Sequence, residues 1–381
     1  MTRRRLSIVQ LLPEMDTGGV EETTLELSAW LAGRGHRSIV VSAGGRLAPR
    51  LAAAGVLHAT LPVGEKNPRL LSAFAPLRRL IMENAADVLH LRSRVPAWLG
   101  LAVVKSLPAR LRPALITTFH GTYSVHFFSG VMARGERITS ESRFIAGYAR
   151  RNYRIPPGRL RLIPAGYDAA RFHPGAAGKA RTEALSRAWG LPGNPPPVIL
   201  MPARITPWKG HRFFIEALAR IREIPFIAAC VGDPAEKPAY AAELADMVKA
   251  SGLHGRVIFP GRASDMPAAY AISSVVVSPS LEPEAFGRVA IEAAAMGRPV
   301  VATAHGGSLD TVSHGVTGFL APPGDATALA SLLESLLSDK HLRDLLGKNA
   351  ARRAALRFSS VAMCEKMEDL YYEITAEKGR L

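Results

Sequence analysis

The stretch SLEPEAFGRVAIEAAAMGRPVVAT, residues 280–303, decides the fold. Its Ala-rich middle predicts a helix, Gly297-Arg298-Pro299 stops that helix, and PVVAT (299–303) predicts a strand. Just upstream, SVVVSPS (274–280) is a second short apolar run of β-branched residues. Strand, loop, helix and strand in that order form one βαβ unit, and a run with no polar alternation is a strand buried on both faces of a parallel sheet.

Working outward, the same rhythm fills the chain. PVILMPA (197–203), PFIAACVG (225–232) and RVIFPG (256–261) predict further strands of this sheet. Leu329, Leu332, Leu333, Leu336 and Leu337 fall at helix spacing after Asp325, so they predict an amphipathic helix whose leucines are core. In the N-terminal half LSIVQLL (6–12), RSIVVS (37–42), DVLHL (87–91) and ALITTF (114–119) predict a second parallel sheet, closed by RLRLIP (159–164). Between the halves lie RFHPGAAG (171–178) and LPGNPPP (191–197), whose Pro and Gly density marks an interdomain crossing. A final segment from about residue 360 also predicts a helix. At 381 residues, two α/β domains are the expected organisation.

Composition removes several classes of function. Hydrophobic content of 48% excludes a disordered chain. Two cysteines, Cys230 and Cys364, supply neither a disulfide framework nor metal-ligand spacing, which fits a reducing cytoplasm. The N-terminal apolar stretch is too short for a signal sequence, and no run approaches the roughly 18 apolar residues of a membrane span. Charge is unevenly placed. Residues 1–175 hold 25 Lys and Arg against 11 Asp and Glu, whereas the remainder holds 23 against 21. The N-terminal half should therefore face something anionic. Aromatic residues do not interleave with the basic ones, which argues against nucleic acid and favours an anionic membrane surface or lipid acceptor.

Three stretches carry chemistry. Glu284 and Glu292 stand eight residues apart. On one continuous helix that spacing is about 12 Å, too far for the paired carboxyls of a glycosidase. With Glu284 in the loop before the helix and Glu292 two turns within it, the pair could grip opposite ends of an elongated ligand; an acid favoured at a helix start and a solvated helical acid fit the spacing equally. MPARITPWKGH (201–211) puts Arg204 and Lys209 after the first strand of the second domain, where open parallel sheets bind ligands. A guanidinium fork with a mobile ammonium suits a diphosphate. TGGVEE (17–22) is a Gly-Gly turn leading into a helix, able to admit an anion at the helix N-terminus, and it lacks the GxGxxG dinucleotide pattern.

The order of these segments resembles the family 4 retaining glycosyltransferases of the GT-B fold (glycosyl transferases group 1), bacterial cell-envelope and lipopolysaccharide type. The matching elements are GGVE (18–21), FHG (119–121), SRFIA (142–146), PAGYD (164–168), Arg204 with WKG (208–210), Glu284-x7-Glu292, HGGS (305–308), GVTGFL (315–320) and PGD (323–325). The resemblance implies an α/β fold of two Rossmann-like domains facing each other across a cleft. Residues 1–175, joined by a helix at about 360–381, would bind the acceptor and residues 176–359 the nucleotide-sugar donor.

It also implies roles. Arg204 and Lys209 would hold the donor diphosphate, Glu292 the ribose hydroxyls and Glu284 the transferred sugar. Backbone amides of Phe286, Gly287 and Arg288 would cradle sugar and phosphate, with Gly18 and Gly19 reaching the donor from the other domain. His120 would face the sugar near the reacting carbon, and Glu21 and Arg143 are acceptor-side candidates. No cofactor and no metal are implied. The expected partners are a nucleotide sugar and an anionic glycolipid or saccharide acceptor such as a lipopolysaccharide core, with peripheral contact to an anionic membrane on the inner face of the cytoplasmic membrane and no nucleic acid. Epimerases, phosphorylases and non-catalytic nucleotide-sugar binders share the fold. Three positions depart from the family pattern: Ala165 replaces a common Asn, Ser140-Glu141-Ser142 replaces a more apolar approach to the serine, and His90-Leu91-Arg92 replaces His-x-His.

Overall fold

The computed structural model describes residues 3–16 and 18–379, so Thr17, which opens the Gly-Gly turn, and the two residues at each end lie outside it. The chain divides into two compact units, Met1–Gly166 with Ser360–Leu381, and Tyr167–Ser359. The division falls at residue 166, ahead of the Pro/Gly-rich stretch at 171–178 that the sequence suggested as the crossing near residue 175.

The first unit is built on seven parallel strands: β1 Ser7–Leu11, β2 Arg37–Ser42, β3 Leu57–Thr60, β4 Val88–Leu91, β5 Ala114–Phe119, β6 Arg137–Ser140 and β7 Leu160–Leu162, in the order β3-β2-β1-β4-β5-β6-β7. Strands β1, β4 and β5 are buried throughout, as their unbroken apolar runs require. Sequence patterning overlooks β3 and β6. LHAT is a half-exposed edge strand and RITS has only four residues, so neither carries a long apolar run. The chain order reverses between β1 and β4, whose neighbouring C-terminal ends form the switch point where such sheets bind ligands.

The second unit repeats the design with β8 Val198–Pro202, β9 Ile227–Val231, β10 Val257–Gly261, β11 Val275–Ser278, β12 Val300–Thr303 and β13 Gly318–Ala321, in the order β10-β9-β8-β11-β12-β13. Its switch point lies between β8 and β11. The helix Ala326–Ser338 is capped by Asp325, which accepts from the Ala328 amide at 2.9 Å, and it buries Leu329, Leu333, Leu336 and Leu337.

The helix Ser360–Glu377 returns to the first unit, where Met363, Met367, Leu370, Tyr371 and Ile374 join Leu6, Ile8, Leu27 and Leu31 in one core. A buried polar latch fixes its register. The Leu6 amide donates to His36 Nδ1 at 3.0 Å, which leaves His36 Nε2 to donate to Glu368 at 2.9 Å. Trp30 Nε1 donates to the other Glu368 oxygen at 3.1 Å, and Tyr372 donates to the Arg4 carbonyl at 2.7 Å. Burial works to raise the Glu368 pKa, but the His36 and Trp30 hydrogen bonds and the Arg34 charge outweigh it and hold the carboxyl below its ordinary range. A depressed folded pKa gives stability that is present above the ordinary value of 4.5 and fades as pH falls through the lower, folded one. Glu368→Ala should therefore destabilise the protein by about 2–4 kcal/mol at neutral pH, because it leaves His36 and Trp30 donors buried and unpaired. In urea melts at descending pH the gap between wild-type and variant midpoints should narrow as pH falls below 4.5 and through the lower folded value; a constant gap would contradict the latch.

Candidate active site

In the second unit, the loops after β8 and β11 meet at the switch point. The chain leaves β8 through Arg204 and makes a short 3-10 turn, Pro207–Lys209. It enters the helix His211–Leu218 through Gly210, whose φ of +79° and closeness to the Pro279 carbonyl, 2.0 Å from where a Cβ would stand, leave room for no other residue. The Leu281 amide donates to the Trp208 carbonyl at 2.8 Å, so the two loops are joined through backbone as well. A third loop, HGGS (305–308) after β12, underlies them. The Gly307 amide donates to the Glu284 carbonyl at 2.8 Å, and a Cβ on Gly306, itself at φ +60°, would lie 2.6 Å from that same oxygen.

This backbone brings Lys209 and Glu284 together at 2.7 Å, with side chains 14% and 13% exposed. Ser280 and Ser278 hydroxyls also donate to Glu284 Oε1, the latter at 3.4 Å. Burial pushes the Glu284 pKa up, yet the Lys209 ammonium and the two hydroxyls outweigh it, so the carboxyl sits below its ordinary range and is ionised at neutral pH. The Trp208 indole gathers the cations: Lys209 Nζ is 4.2 Å and the Arg204 guanidinium 5.9 Å from its centroid. Arg204 itself is exposed.

Glu284 lies in the loop before the helix Arg288–Ala295, as the spacing suggested, whereas Glu292 is only one turn within it rather than two. Gly287 occupies the N-cap, and Phe286 is buried against Phe358 with rings 5.8 Å apart. Glu292 accepts from Tyr270 at 3.1 Å and pairs with Arg288 at 3.7 Å. Burial raises the Glu292 pKa, against the pull of Arg288, Tyr270 and Arg171. Tyr270 and Arg171 were not legible as neighbours of this acid, because they come from 22 residues before it and from the start of the unit.

In the first unit His120 follows β5, and its Nδ1 meets Glu141, which follows β6, at 2.7 Å. The imidazole is 6% exposed, and its Nε2 is buried with no hydrogen-bond partner among the described residues. Gly18 and Gly19 open the helix Gly19–Gly33 after β1, with Glu21 half-buried in its first turn. Arg143 is exposed at the start of the helix Arg143–Tyr153, whose N-cap Ser142 accepts from the Ile145 amide at 3.1 Å. Among the described residues, no three His, Cys, Asp or Glu side chains stand together as metal ligands.

Residues 17–171 match the family described as Glycosyltransferase Family 4, and residues 183–353 match Glycosyl transferases group 1. A solved glycosyltransferase from Rickettsia africae ESF-5 is 31% identical, with a TM-score of 0.91 over 98% of this chain and 99% of that one. The chain belongs to the family 4 glycosyltransferases of the GT-B fold.

A curated relative, D-inositol 3-phosphate glycosyltransferase of Salinispora arenicola, is 33% identical over 262 residues, covering 65% of this chain and 57% of that protein. This glycosyltransferase chain thus spans little more than half the length of the curated relatives it matches. Anabaena HepE, solved in complex with UDP, shares the fold at a TM-score of 0.83 and 23% identity, over 97% of this chain and all of that one.

Proposed function

We propose that this glycosyltransferase moves a sugar from a nucleoside-diphosphate sugar to a hydroxyl of an anionic acceptor, with retention of anomeric configuration. The observation that carries the reading is the Lys209–Glu284 pair at 2.7 Å beside Arg204, on loops at the switch point of the second sheet. Lys209 is already held on a carboxylate, so a diphosphate would take over part of an existing charge interaction. Arg204 and Lys209 then bind the two phosphates, and Glu284, ionised, accepts hydrogen bonds from hydroxyls of the transferred sugar. Glu292 takes the ribose hydroxyls. The amides at the start of the helix Arg288–Ala295, in the favourable end of its dipole, support the phosphate. In the first unit, His120 and the Gly18-Gly19 turn are assigned to ligand binding on the strand-following loops, with Glu21 and Arg143 as acceptor-side residues.

In the transfer step the bond between the anomeric carbon and the phosphate oxygen breaks as the acceptor oxygen bonds to that carbon on the same face. The acceptor's proton passes to the departing phosphate. Charge accumulates on that phosphate, and Arg204 and Lys209 stabilise it where it grows, which is electrostatic catalysis needing no metal ion.

The acceptor reading rests on charge and on likeness. Nearly all of the +16 excess lies in residues 1–175. Phe127, 80% exposed in the segment after His120, packs against Trp98 with ring centroids 5.3 Å apart, an apolar surface suited to a lipid portion. A cell-envelope glycolipid or saccharide, reached at the inner face of the cytoplasmic membrane, meets both features. The name of the Salinispora relative, D-inositol 3-phosphate glycosyltransferase, favours a second reading, a small phosphorylated polyol as acceptor.

Three outcomes check the proposal. With nucleotide sugar and a panel of phosphorylated acceptors, nucleotide diphosphate and glycosylated product should appear together, only when acceptor is added, with the anomeric configuration of the donor in NMR spectra. Lys209→Ala should lower kcat about 10²–10³-fold. Release of nucleotide without acceptor dependence, or a fully active Lys209→Ala, would contradict it. In sedimentation, the protein should bind phosphatidylglycerol vesicles and leave them as salt rises; equal binding to neutral vesicles would remove the anionic membrane from the account.

A further inference from the structure

The first unit places a carboxylate behind His120 at a position where the family pattern expects an apolar residue. Glu141 Oε1 and His120 Nδ1 are 2.7 Å apart, and the two side chains are 15% and 6% exposed. An ionised carboxylate only accepts hydrogen bonds, so Nδ1 must carry the proton. In the neutral ring Nε2 is then an acceptor, and it is buried with no partner among the described residues. A buried polar atom without a partner at the C-terminal end of a parallel strand marks a place where a ligand group completes the hydrogen bonding.

A second departure compensates the first. Arg92, which stands in place of a histidine, is buried, and its Nη1 donates to Gln10 Oε1 at 2.6 Å while Gln10 Nε2 donates to Ser28 at 2.7 Å. Burial lowers the Arg92 pKa, and the Glu141 and Glu21 carboxylates oppose that loss. A buried guanidinium that interacts electrostatically with Glu141 favours the ionised form of that carboxyl. His90, on the same strand, is fully committed elsewhere, to Tyr371 at 2.7 Å and Thr118 at 2.6 Å, and cannot take over the role.

We infer that Glu141 is a positioning residue: it fixes the His120 ring with its proton on Nδ1, so that Nε2 receives a hydroxyl of the sugar or acceptor at the reacting centre. The inference rests on the proposed glycosyl transfer for the identity of the ligand and on the first unit alone for the geometry. The carboxylate also ties the ends of β5 and β6 together, so the imidazole cannot swing when a ligand leaves.

The test uses the full chain. In nitrogen-15 NMR of histidine-labelled protein, with the His120 signals assigned by their loss in His120→Gln, wild type should show the Nδ1–H tautomer. Glu141→Ala should shift the ring toward the Nε2–H form and lower kcat about 10- to 100-fold, with the donor KM changed less than about twofold. Glu141→Gln, whose amide oxygen can still accept from Nδ1–H, should keep the tautomer and recover part of kcat. An unchanged tautomer in Glu141→Ala, full activity in that variant, or losses of kcat and melting temperature that Glu141→Gln does not relieve would each overturn the inference. If instead Glu141→Ala shifts the tautomer while His120→Gln turns over normally, the positioning stands and it is the ligand assignment of the proposed function that fails.

Discussion

The contact between Lys209 and Glu284 is the constraint on which the second unit's loops depend. A partly buried ammonium and carboxylate are stable only when each satisfies the other, and meeting at 2.7 Å requires the loops after β8 and β11 to lie side by side. The glycines at 210 and 306 are where the chain yields to make this possible, since any side chain there would displace the Pro279 or Glu284 backbone. Ser280 and Ser278 complete the carboxylate's hydrogen bonding, and Trp208 keeps both cations near it. The result is a charged cluster that a diphosphate can enter by substituting for interactions already made.

The first unit uses the same sheet topology for a different chemical end. Its loops carry an imidazole and a carboxylate rather than a cation pair, over a buried layer of Gln10, Arg92, His90 and Thr118. These polar groups are nearly all satisfied, so the layer is a rigid platform. Among the described residues, His120 Nε2, Arg92 Nε and Ser140 Oγ are buried there without a hydrogen-bond partner. The returning helix Ser360–Glu377 closes the core beneath this platform, and Tyr371 links the two by its bond to His90.

Much of this was readable in the sequence for a plain physical reason. Parallel strands buried on both faces leave unbroken runs of Val, Ile and Leu, so ten of the thirteen strands announce themselves. The missing three, LHAT, RITS and GFLA, are short or half-exposed, and pairing rather than composition makes them strands. Arg204, Lys209 and Glu284 could be placed on strand-following loops because the βαβ rhythm fixes where those loops fall. Glu141 was visible only as an oddity in an otherwise apolar approach to Ser142, since the separation of 21 positions from His120 hides the adjacency of β5 and β6. Tyr270 and Arg171 beside Glu292 left no local signal, because nothing in sequence spacing reports a contact made through folding of distant segments.

The most direct test of the central claim is a crystal structure of the full chain with a nucleoside diphosphate bound. The account predicts both phosphorus atoms on the loops after β8 and β11, with Lys209 Nζ and the Arg204 guanidinium in hydrogen-bond reach of phosphate oxygens. A diphosphate bound away from those loops, with Lys209 still paired only to Glu284, would contradict it.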